Sequence, residues 1–586
     1  MSQTPVQPER RERWNSRTAF IMAAIGSAVG LGNVWRFPYM VYQNGGGAFF
    51  IPYIIALVTA GIPLMILEYG VGQMMQGSAP KALGRLNKNY EWVGWFALCI
   101  GSMISFYYAV VMAYAWQFLG ESIRYAMSEL PWAANAHDHF YKGMLALPDA
   151  NLPDHMWEIQ PWLVVGLVLT WAAVFVIIVK GVRVVGRVVL ITVPLPVLLL
   201  GVLAVRGLTL EGALDGIEYY LRPDFTRLKD PQVWLDAYGQ IFFSLSLGFG
   251  IMIAYASYNK RRGDITNNAF LTSLANCATS FFAGFVVFSI LGFLAFKTGK
   301  DVGEVATSGP GLAFVTYPTA IAMLGEYGAF WPPLVAVLFF VMLLSLGIDS
   351  LFSIVEGVVA GLHDRFGFLN RGLVTAAFCG TGLLVGIVLF ASRAGLGWLD
   401  LFDHWANYGL VTVGLIECLL VGYFFRTARL REFVNTVSEI HLGGWWELCI
   451  RLVAPLSLVV LLGSSLLKEV TEGIYGAADW PDSMVQAGFW VFFGLFVVSF
   501  LMGRRWGLLC VVVGGIAFFF LFHFGLSLST PASLAGALAM MILFGGLGVC
   551  IAIAIRGKDV EHHEQTHGWP EREKRLDLAP RGDDDE

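Results

Sequence analysis

Two apolar stretches of this chain contain closely spaced glycines, and oxygen-bearing side chains lie near them in the sequence. The first stretch, residues 23–38, reads AAIGSAVGLGNVWRFP, and the second, residues 239–250, reads GQIFFSLSLGFG. A helix that is interrupted at such a point exposes backbone carbonyl and amide groups, which suit a small hard cation and a carboxylate respectively. The side chains that could complete a cation shell are Asn33, Ser244, Ser246, Asn276, Asp349 and Ser350.

These polar residues also have a simpler interpretation, which is hydrogen bonding between helices. That alternative stays open for the serines and asparagines. It explains Asp349 less well, because a carboxylate within a membrane span is costly and usually functional. Three further acids, Glu68, Glu356 and Glu417, fall inside apolar stretches, where they could be structural partners or a proton route.

The composition places these residues in a membrane protein. Of the 586 residues, 56% are hydrophobic and 14% are charged, whereas soluble proteins carry about 25% charged residues. A lipid bilayer is therefore the expected surrounding. Nucleic acid is not an expected partner, since no basic stripe with interleaved aromatic residues occurs. The sequence leaves the oligomeric state open.

Fourteen stretches are long and apolar enough to cross a bilayer, which takes about 20 residues in a helix. They lie at 17–40, 46–72, 92–124, 162–180, 187–206, 233–258, 267–296, 329–361, 372–391, 398–425, 448–468, 483–503, 507–525 and 531–555. Lysine and arginine cluster before the first span and after each even-numbered span. Because basic residues favour the cytoplasmic side, both termini are expected in the cytoplasm.

The two glycine-broken spans are the first and the sixth, so each begins a set of five. Two consecutive units with an odd number of spans have opposite orientations, which is the geometry of an inverted repeat. The chain is therefore predicted to be an all-α polytopic membrane protein with a 5+5 inverted repeat. The expected divisions are a cytoplasmic N-terminal segment at 1–16, repeats at 17–207 and 233–425, helices 11–12 at 447–503, helices 13–14 at 507–555 and a polar cytoplasmic tail at 556–586.

Several motifs, in order along the chain, resemble those of the neurotransmitter:sodium symporters. They are SAVGLGNVWRFPY at 27–39, NGGGAFFIPY at 44–53, QIFFSLSLGFG at 240–250, ASYNK at 256–260 and LGIDS at 346–350. The resemblance covers about residues 11–505. It implies the fold of the bacterial leucine transporter, with discontinuous helices 1 and 6. The predicted helices 13 and 14 lie outside the twelve that the family shares, and their role stays open.

The resemblance implies two bound sodium ions. The ligands implied for the first, besides the substrate carboxylate, are the carbonyl of Ala28 and the side chains of Asn33, Ser244 and Asn276. The ligands implied for the second are the carbonyls of Gly26, Val29 and Leu346 and the side chains of Asp349 and Ser350. A carboxylate shared by substrate and sodium would make each ligand raise the affinity for the other.

A substrate site between the two breaks is implied as well. The acid group of the substrate would meet the amides of Leu31 and Gly32 and the hydroxyl of Tyr108. The other contacts would come from Ala28, Ile104, Phe243, Ser244, Ser246, Phe249, Leu351, Ser353 and Ile354. Family members that carry biogenic amines have an aspartate at the position of Gly30. The substrate is therefore expected to bring its own acid group.

Chloride binding and two gates are also implied by the resemblance. The residues of the implied chloride shell are Tyr53, Gln240, Ser244, Asn276 and Ser280; chloride-independent bacterial relatives have a carboxylate at the position of Ser280. The implied outer gate consists of Arg36 and Asp403 with Tyr108 and Phe243, and the implied cytoplasmic gate of Arg11 and Asp364 with Trp14 and Tyr258. Pairs that form on one side at a time suit alternating access, and static surface charge is the alternative.

The residues and the resemblance together predict a symporter rather than an enzyme. It would couple the entry of sodium, with chloride, to the uptake of a neutral amino acid across the bacterial inner membrane. A sodium-coupled carrier of taurine, betaine or GABA, and an amino-acid sensor that does not transport, remain open alternatives. No nucleophile elbow or other catalytic motif in the sequence favours an enzyme.

Overall fold

The computed structural model describes residues 12–147, 158–305, 309–367, 369–477 and 479–503, and the regular secondary structure of these residues is helical. The all-α fold predicted from the sequence is confirmed. Four sequence predictions lie outside the described residues: the spans 507–525 and 531–555, the tail 556–586, and the gate residue Arg11.

The helices of the first repeat begin and end at residues that favour helix termini. Ser16 caps the first helix, because its hydroxyl accepts the amide of Ala19 at 3.1 Å, and Pro161 occupies the first turn of another, where its missing amide costs nothing. The long helices of this repeat are α1 (Arg17–Ala28), α2 (Gly32–Gln43), α3 (Gly47–Met75), α4 (Lys88–Arg124), α5 (Pro161–Ile178) and α6 (Val182–Leu208).

The second repeat has the same order of long helices, and again its first span is divided. The divided span begins at Pro231, directly after its capping residue Asp230. Gly299, with φ of 65°, follows the last residue of the third helix of this repeat. The helices are α7 (Pro231–Ser244), α8 (Ile251–Ser257), α9 (Thr266–Thr298), α10 (Trp331–Arg365), α11 (Arg371–Phe390) and α12 (Gly395–Val437). Two more long helices follow, α13 (Gly444–Thr471) and α14 (Asp482–Met502).

The spans predicted within the described residues coincide with these helices. Within the part of the chain that the structure describes, ten helices are long and apolar enough to cross a membrane, and α1 with α2 forms an eleventh span that is bent by 50°. The predicted span 233–258 falls on α7 and α8. One boundary differs clearly: α12 continues beyond residue 425 to Val437, through Arg426 with φ of 74°. The added part is polar and basic, which suits the surface of a membrane rather than its interior.

Packing between the helices follows the inverted repeat. In the first repeat α1, the first half of the divided span, packs on α9, and in the second repeat α7, the first half of the other divided span, packs on α3 in the equivalent way. The equivalent helices α4 and α10 pack along each other at the centre. Exchanging the two halves thus exchanges these contacts with one another, as a twofold pseudo-symmetry requires. The two breaks lie beside this central pair.

Candidate functional site

The first break lies between Ala28 and Gly32. Val29 leaves the helical conformation, with φ of −81° and ψ of 103°, so the carbonyls at the end of α1 lose their helical partners. The side chain of Asn33 holds the far side of the break, because its Oδ1 accepts the amide of Gly30 at 2.8 Å. The break therefore presents carbonyl oxygens from α1 and amides at the start of α2.

The second break lies between Ser244 and Ile251. Its backbone needs left-handed residues, and Ser246, Gly248 and Gly250 have φ of 53°, 77° and 72°. Glycine adopts such angles freely, whereas a serine there is strained. The sequence prediction of two broken helices at equivalent places is thereby confirmed.

Hydrogen bonds tie the two breaks to each other and to the surrounding helices. The Ser246 hydroxyl donates to the carbonyl of Ser27 at 3.0 Å, which joins the second break to the first. The amide of Gly248 donates to Oε1 of Glu68 at 2.8 Å, which joins the second break to α3. The strained serine thus has a contact that offsets part of its conformational cost.

The polar residues predicted for the first sodium site form one buried cluster. The Asn33 amide nitrogen donates to Oδ1 of Asn276 at 2.8 Å and to the hydroxyl of Ser280 at 2.6 Å. The Asn276 amide nitrogen in turn donates to the hydroxyl of Ser244 at 2.8 Å. Residues from α2, α7 and α9 therefore meet at the side of the breaks, close to the end of α1 at Ala28.

Residues predicted for the second sodium site also come together, between α1 and α10. The Ser350 hydroxyl is 3.5 Å from the carbonyl oxygen of Gly26 and 3.4 Å from that of Ser27. Asp349 is only 2% exposed, and its Oδ1 has no hydrogen-bond partner among the described residues. A buried carboxylate oxygen without a partner, beside backbone carbonyls, is a donor set that fits a hard cation.

The implied chloride residues are buried on α3, α7 and α9, and α3 contacts both of the other two helices. Gln240 is 1% exposed, and neither its Nε2 nor its Oε1 has a partner among the described residues. The Tyr53 hydroxyl interacts with Ser280 and with the thiol of Cys277, whose sulfur is 3.3 Å away. A buried amide nitrogen with no partner among the described residues fits an anion, because it can donate a hydrogen bond, as hydroxyl groups can.

The predicted substrate residues lie in the two breaks, at the helix ends beside them, and on α4 and α10. The Tyr108 hydroxyl contacts the backbone of Leu31 and the hydroxyl of Ser350. The ring of Phe243 lies beside Gly32 and 6.4 Å from the ring of Phe249, measured between centroids. The remaining apolar members of the predicted wall are buried: Ile104, Leu351 and Ile354.

Ser353 differs from the other predicted wall residues. Its hydroxyl accepts the hydroxyl of Tyr255 at 2.8 Å and donates to the carbonyl of Asp349 at 2.7 Å. Both hydrogen-bonding roles are thus filled by α8 and by its own helix. The structure places this side chain in the packing between α10 and α8 rather than leaving it free for a substrate.

The predicted outer pair, Arg36 and Asp403, is not in direct contact. The guanidinium carbon of Arg36 lies 4.6 Å from the centre of the Phe243 ring, in a cation–π contact. Oδ1 of Asp403 instead accepts the hydroxyl of Tyr107 at 2.7 Å. The two charges still act on each other through space. In this conformation each partner is held by an aromatic residue, and the assignment of Arg36 and Asp403 to an outer gate stays a prediction.

The opposite side, which carries the amino end of α1 and is here called the inner side, is closed. The indole nitrogen of Trp14 donates to the carbonyl of Tyr255 at 2.9 Å, and its amide to that of Tyr258 at 3.2 Å. Asp364 accepts the amide of Ser78 at 2.7 Å and forms an ion pair with Lys81 at 3.3 Å. Trp14 and Tyr258 thus meet as predicted, and Asp364 has partners that the sequence analysis did not identify.

The three buried acids have different surroundings. Glu356 forms an ion pair with Arg371 and accepts the hydroxyl of Tyr258 at 2.9 Å, so it is a structural partner. Glu68 holds the second break through Gly248. Glu417 is fully buried, and neither of its oxygens has a partner among the described residues. Because a charge inside a membrane span needs a partner, the ion pair of Glu356 could have been sought in the sequence among the basic residues at neighbouring helix ends.

Comparison with known proteins agrees with this geometry. The sequence model of the Sodium:neurotransmitter symporter family matches residues 11–143 and 133–513. An uncharacterized sodium-dependent transporter of Methanocaldococcus jannaschii is 40% identical over 496 residues, which are 84% of this chain and 98% of that protein.

Two animal relatives match a similar part of the chain. The sodium- and chloride-dependent taurine transporter of Homo sapiens is 36% identical over 519 residues, 82% of each chain. The sodium-dependent dopamine transporter of Caenorhabditis elegans is 35% identical over 511 residues, 78% of this chain and 81% of that protein. Together with the divided first and sixth spans and the buried oxygen clusters beside them, these matches show that the chain is an integral membrane protein and a sodium-dependent transporter of the sodium:neurotransmitter symporter family.

Proposed function

We propose that this protein couples the inward movement of sodium, assisted by chloride, to the uptake of a neutral amino acid by alternating access. The observation that carries the proposal is the buried carboxylate of Asp349, which lies beside Gly26 of α1 and whose Oδ1 has no hydrogen-bond partner among the described residues. Leaving such a group unpaired is costly, and a bound cation removes that cost. Sodium at this point would hold α1 against α10 through Gly26, Val29, Leu346, Asp349 and Ser350.

Asp349 belongs to the site called the second sodium site above. Another sodium would bind at the first sodium site, in the cluster of Asn33, Ser244 and Asn276, with the carbonyl of Ala28. Rotation of the two amide groups would turn their oxygens towards the ion in place of the present hydrogen bonds between them. This cluster adjoins the amides of Leu31 and Gly32, where a substrate carboxylate would sit. An anion bound by both the sodium and these amides couples the two ligands, because each favours binding of the other.

Chloride would bind to Gln240, Tyr53 and Ser280, with Ser244 and Asn276. The support is the unpartnered amide of Gln240 and the absence of a carboxylate at position 280. Sodium in a low-dielectric site leaves uncompensated positive charge, and chloride would reduce it. The related human taurine transporter is named as sodium- and chloride-dependent, which favours the same conclusion here.

The substrate should carry its own acid group and no charged side chain. A Cβ at Gly30 would lie 2.5 Å from the Ser350 hydroxyl, so this conformation has no room for an acidic side chain there. The wall of Ile104, Phe249, Leu351 and Ile354 is apolar. These features favour a neutral amino acid. A sulfonic or longer amino acid is the second candidate, because relatives named as taurine and GABA transporters are 36% and 37% identical to this chain.

The test is uptake into proteoliposomes of a panel of radiolabelled amino acids, taurine, betaine and GABA, with sodium and chloride replaced independently. Sodium-driven uptake of a neutral amino acid that falls when gluconate replaces chloride is the expected result. Equal uptake in gluconate would exclude the chloride part of the proposal. Uptake of taurine or GABA alone would favour the second candidate, and no uptake of any compound would favour a sensor. The matched control is Asp349→Asn, which removes the charge at nearly constant volume.

A further inference from the structure

Residues 12–17, which precede α1 and form its first turn, are held against the inner ends of several helices. Trp14 contacts α8, as described above. Nε of Arg17 donates to Oδ1 of Asn268 in α9 at 2.8 Å. These contacts hold the segment at the inner side, and a third set of contacts involves α6.

Glu12 and Asn15 form hydrogen bonds with the amino end of α6. Oε2 of Glu12 accepts the amide of Val182 at 2.9 Å, and the amide nitrogen of Asn15 donates to the carbonyl of Arg183 at 2.8 Å. Val182 is the first residue of α6, so its amide has no partner within the helix. A carboxylate at this end is also stabilised by the helix dipole. We refer to Glu12, Asn15 and the turn 181–183 as the inner clasp.

The absence of a side chain at Gly181 leaves room for the Glu12 carboxylate. Its φ is 81°, and a Cβ added there would overlap both carboxylate oxygens of Glu12. Any larger residue would therefore displace Glu12 as well as strain the backbone. The turn is thus shaped around the Glu12 side chain, and the same carboxylate interacts electrostatically with the buried ion pair of Glu356 and Arg371.

We propose that the inner clasp holds the inner side closed, and that Glu12 is a positioning residue whose release from α6 accompanies opening to the inner side. The proposal deepens the alternating-access function above and rests on it. The physical reason is that the segment before α1 cannot leave Tyr255 and Tyr258 while Glu12 and Asn15 are bound to α6. The inner gate then depends on α6 as well as on α8 and α10.

The experiment is hydrogen–deuterium exchange on the purified full chain without sodium or substrate. The reporters are the amide of Trp14, which is bonded to Tyr258, and the amide of Val182, which is bonded to Glu12. Loss of one charge-assisted bond at a helix end should speed exchange of both amides by about 5- to 30-fold in Glu12→Gln. The outer amide of Gln160, bonded to the carbonyl of Ala391 at 2.8 Å, should not change.

Gly181→Ala should give the same acceleration by expelling the carboxylate. Its matched control is Gly299→Ala, because Gly299 has φ of 65° with no atom within 4 Å of an added Cβ. That control carries the backbone strain without a clash, and exchange at Trp14 should stay as in the unmodified chain. Asn15→Ala is an independent test, since it removes the hydrogen bond to the Arg183 carbonyl and leaves Gly181 unchanged.

Unchanged exchange of the Trp14 and Val182 amides in Glu12→Gln, or equal acceleration in Gly299→Ala, would overturn the proposal. The exchange experiment does not depend on transport. Faster exchange in a protein that transports nothing would leave the clasp established as a contact and refute the proposed function. Transport together with unchanged exchange would support the proposed function and refute the clasp proposal.

Discussion

The steric fit of Gly30 against Ser350 gives a sharp test of the site. A Cβ at position 30 would lie 2.5 Å from the Ser350 hydroxyl oxygen and 3.5 Å from its Cβ. The clash is therefore with one atom. Overpacking of this kind typically costs about 1–3 kcal/mol, so Gly30→Ala should lower the free energy of unfolding by that amount in sodium-free detergent solution.

Two variants make this prediction specific. Gly32→Ala introduces the same methyl group two residues further along the chain, but its nearest neighbour would be a Phe243 ring carbon at 3.8 Å, an ordinary contact. Its stability should change by less than about 0.5 kcal/mol. The double variant Gly30→Ala with Ser350→Ala removes the clashing oxygen and should recover most of the loss, as a favourable coupling energy of about 1–3 kcal/mol in a double-mutant cycle.

The assay is denaturant unfolding followed by fluorescence, without sodium, so that ion binding does not contribute. A Gly30→Ala variant as stable as the unmodified chain would refute the reasoning, because the break would then have room for a side chain. A loss that Ser350→Ala does not reverse would assign the cost to the backbone. In either case the argument that the site cannot accept an acidic residue at position 30 would fail.

Three further predictions concern the ions and the second break. Asp349→Asn should raise the sodium concentration for half-maximal uptake at least about tenfold, equivalent to about 1.4 kcal/mol, and an unchanged value would show that this carboxylate does not bind sodium. Ser280→Glu should make uptake equal in chloride and gluconate, because a fixed negative charge replaces the anion; persistent chloride stimulation would count against the shell. Gly248→Ala should destabilise the protein by about 2–4 kcal/mol, since φ is 77° and a Cβ would lie 2.7 Å from the Leu410 carbonyl oxygen. In the same unfolding assay, the control Gly299→Ala should lower the free energy of unfolding by only about 1–2 kcal/mol.

Much of the fold could be predicted from the sequence because lipid imposes simple requirements. Each span must be apolar and about 20 residues long, so helix positions follow from hydropathy, as they do for α3 and α11. The breaks at 29–31 and 245–250 follow from glycine spacing. The end of α12 could not be found this way, because its last part is polar and still helical as far as Val437.

The site was predictable where spacing fixes a side chain within one helix. Asn33 and Asn276 carry amides in otherwise apolar spans, and both enter the cluster. Contacts that depend on how helices are set against each other were not predictable. Ser353 lies one helical turn after Asp349 and shares its face, yet it lies beside α8 and bonds Tyr255 because α10 passes from the break to the inner half of the bundle. The separation of Arg36 from Asp403 likewise depends on the relative position of α2 and α12.

The two gates are connected through the first break. Trp14 precedes α1, Arg36 lies in α2, and the break between these helices carries the carbonyls that face Asp349 and Ser350. With the inner side closed, a cation beside Asp349 would satisfy a buried carboxylate oxygen that otherwise has no partner. Movement of α1 away from α10 would separate the Gly26 carbonyl from that carboxylate and weaken the cation site. A sodium ion at the proposed site would therefore bind the inner-closed conformation more tightly than the inner-open one, and by linkage its release and the opening of the inner side would favour each other.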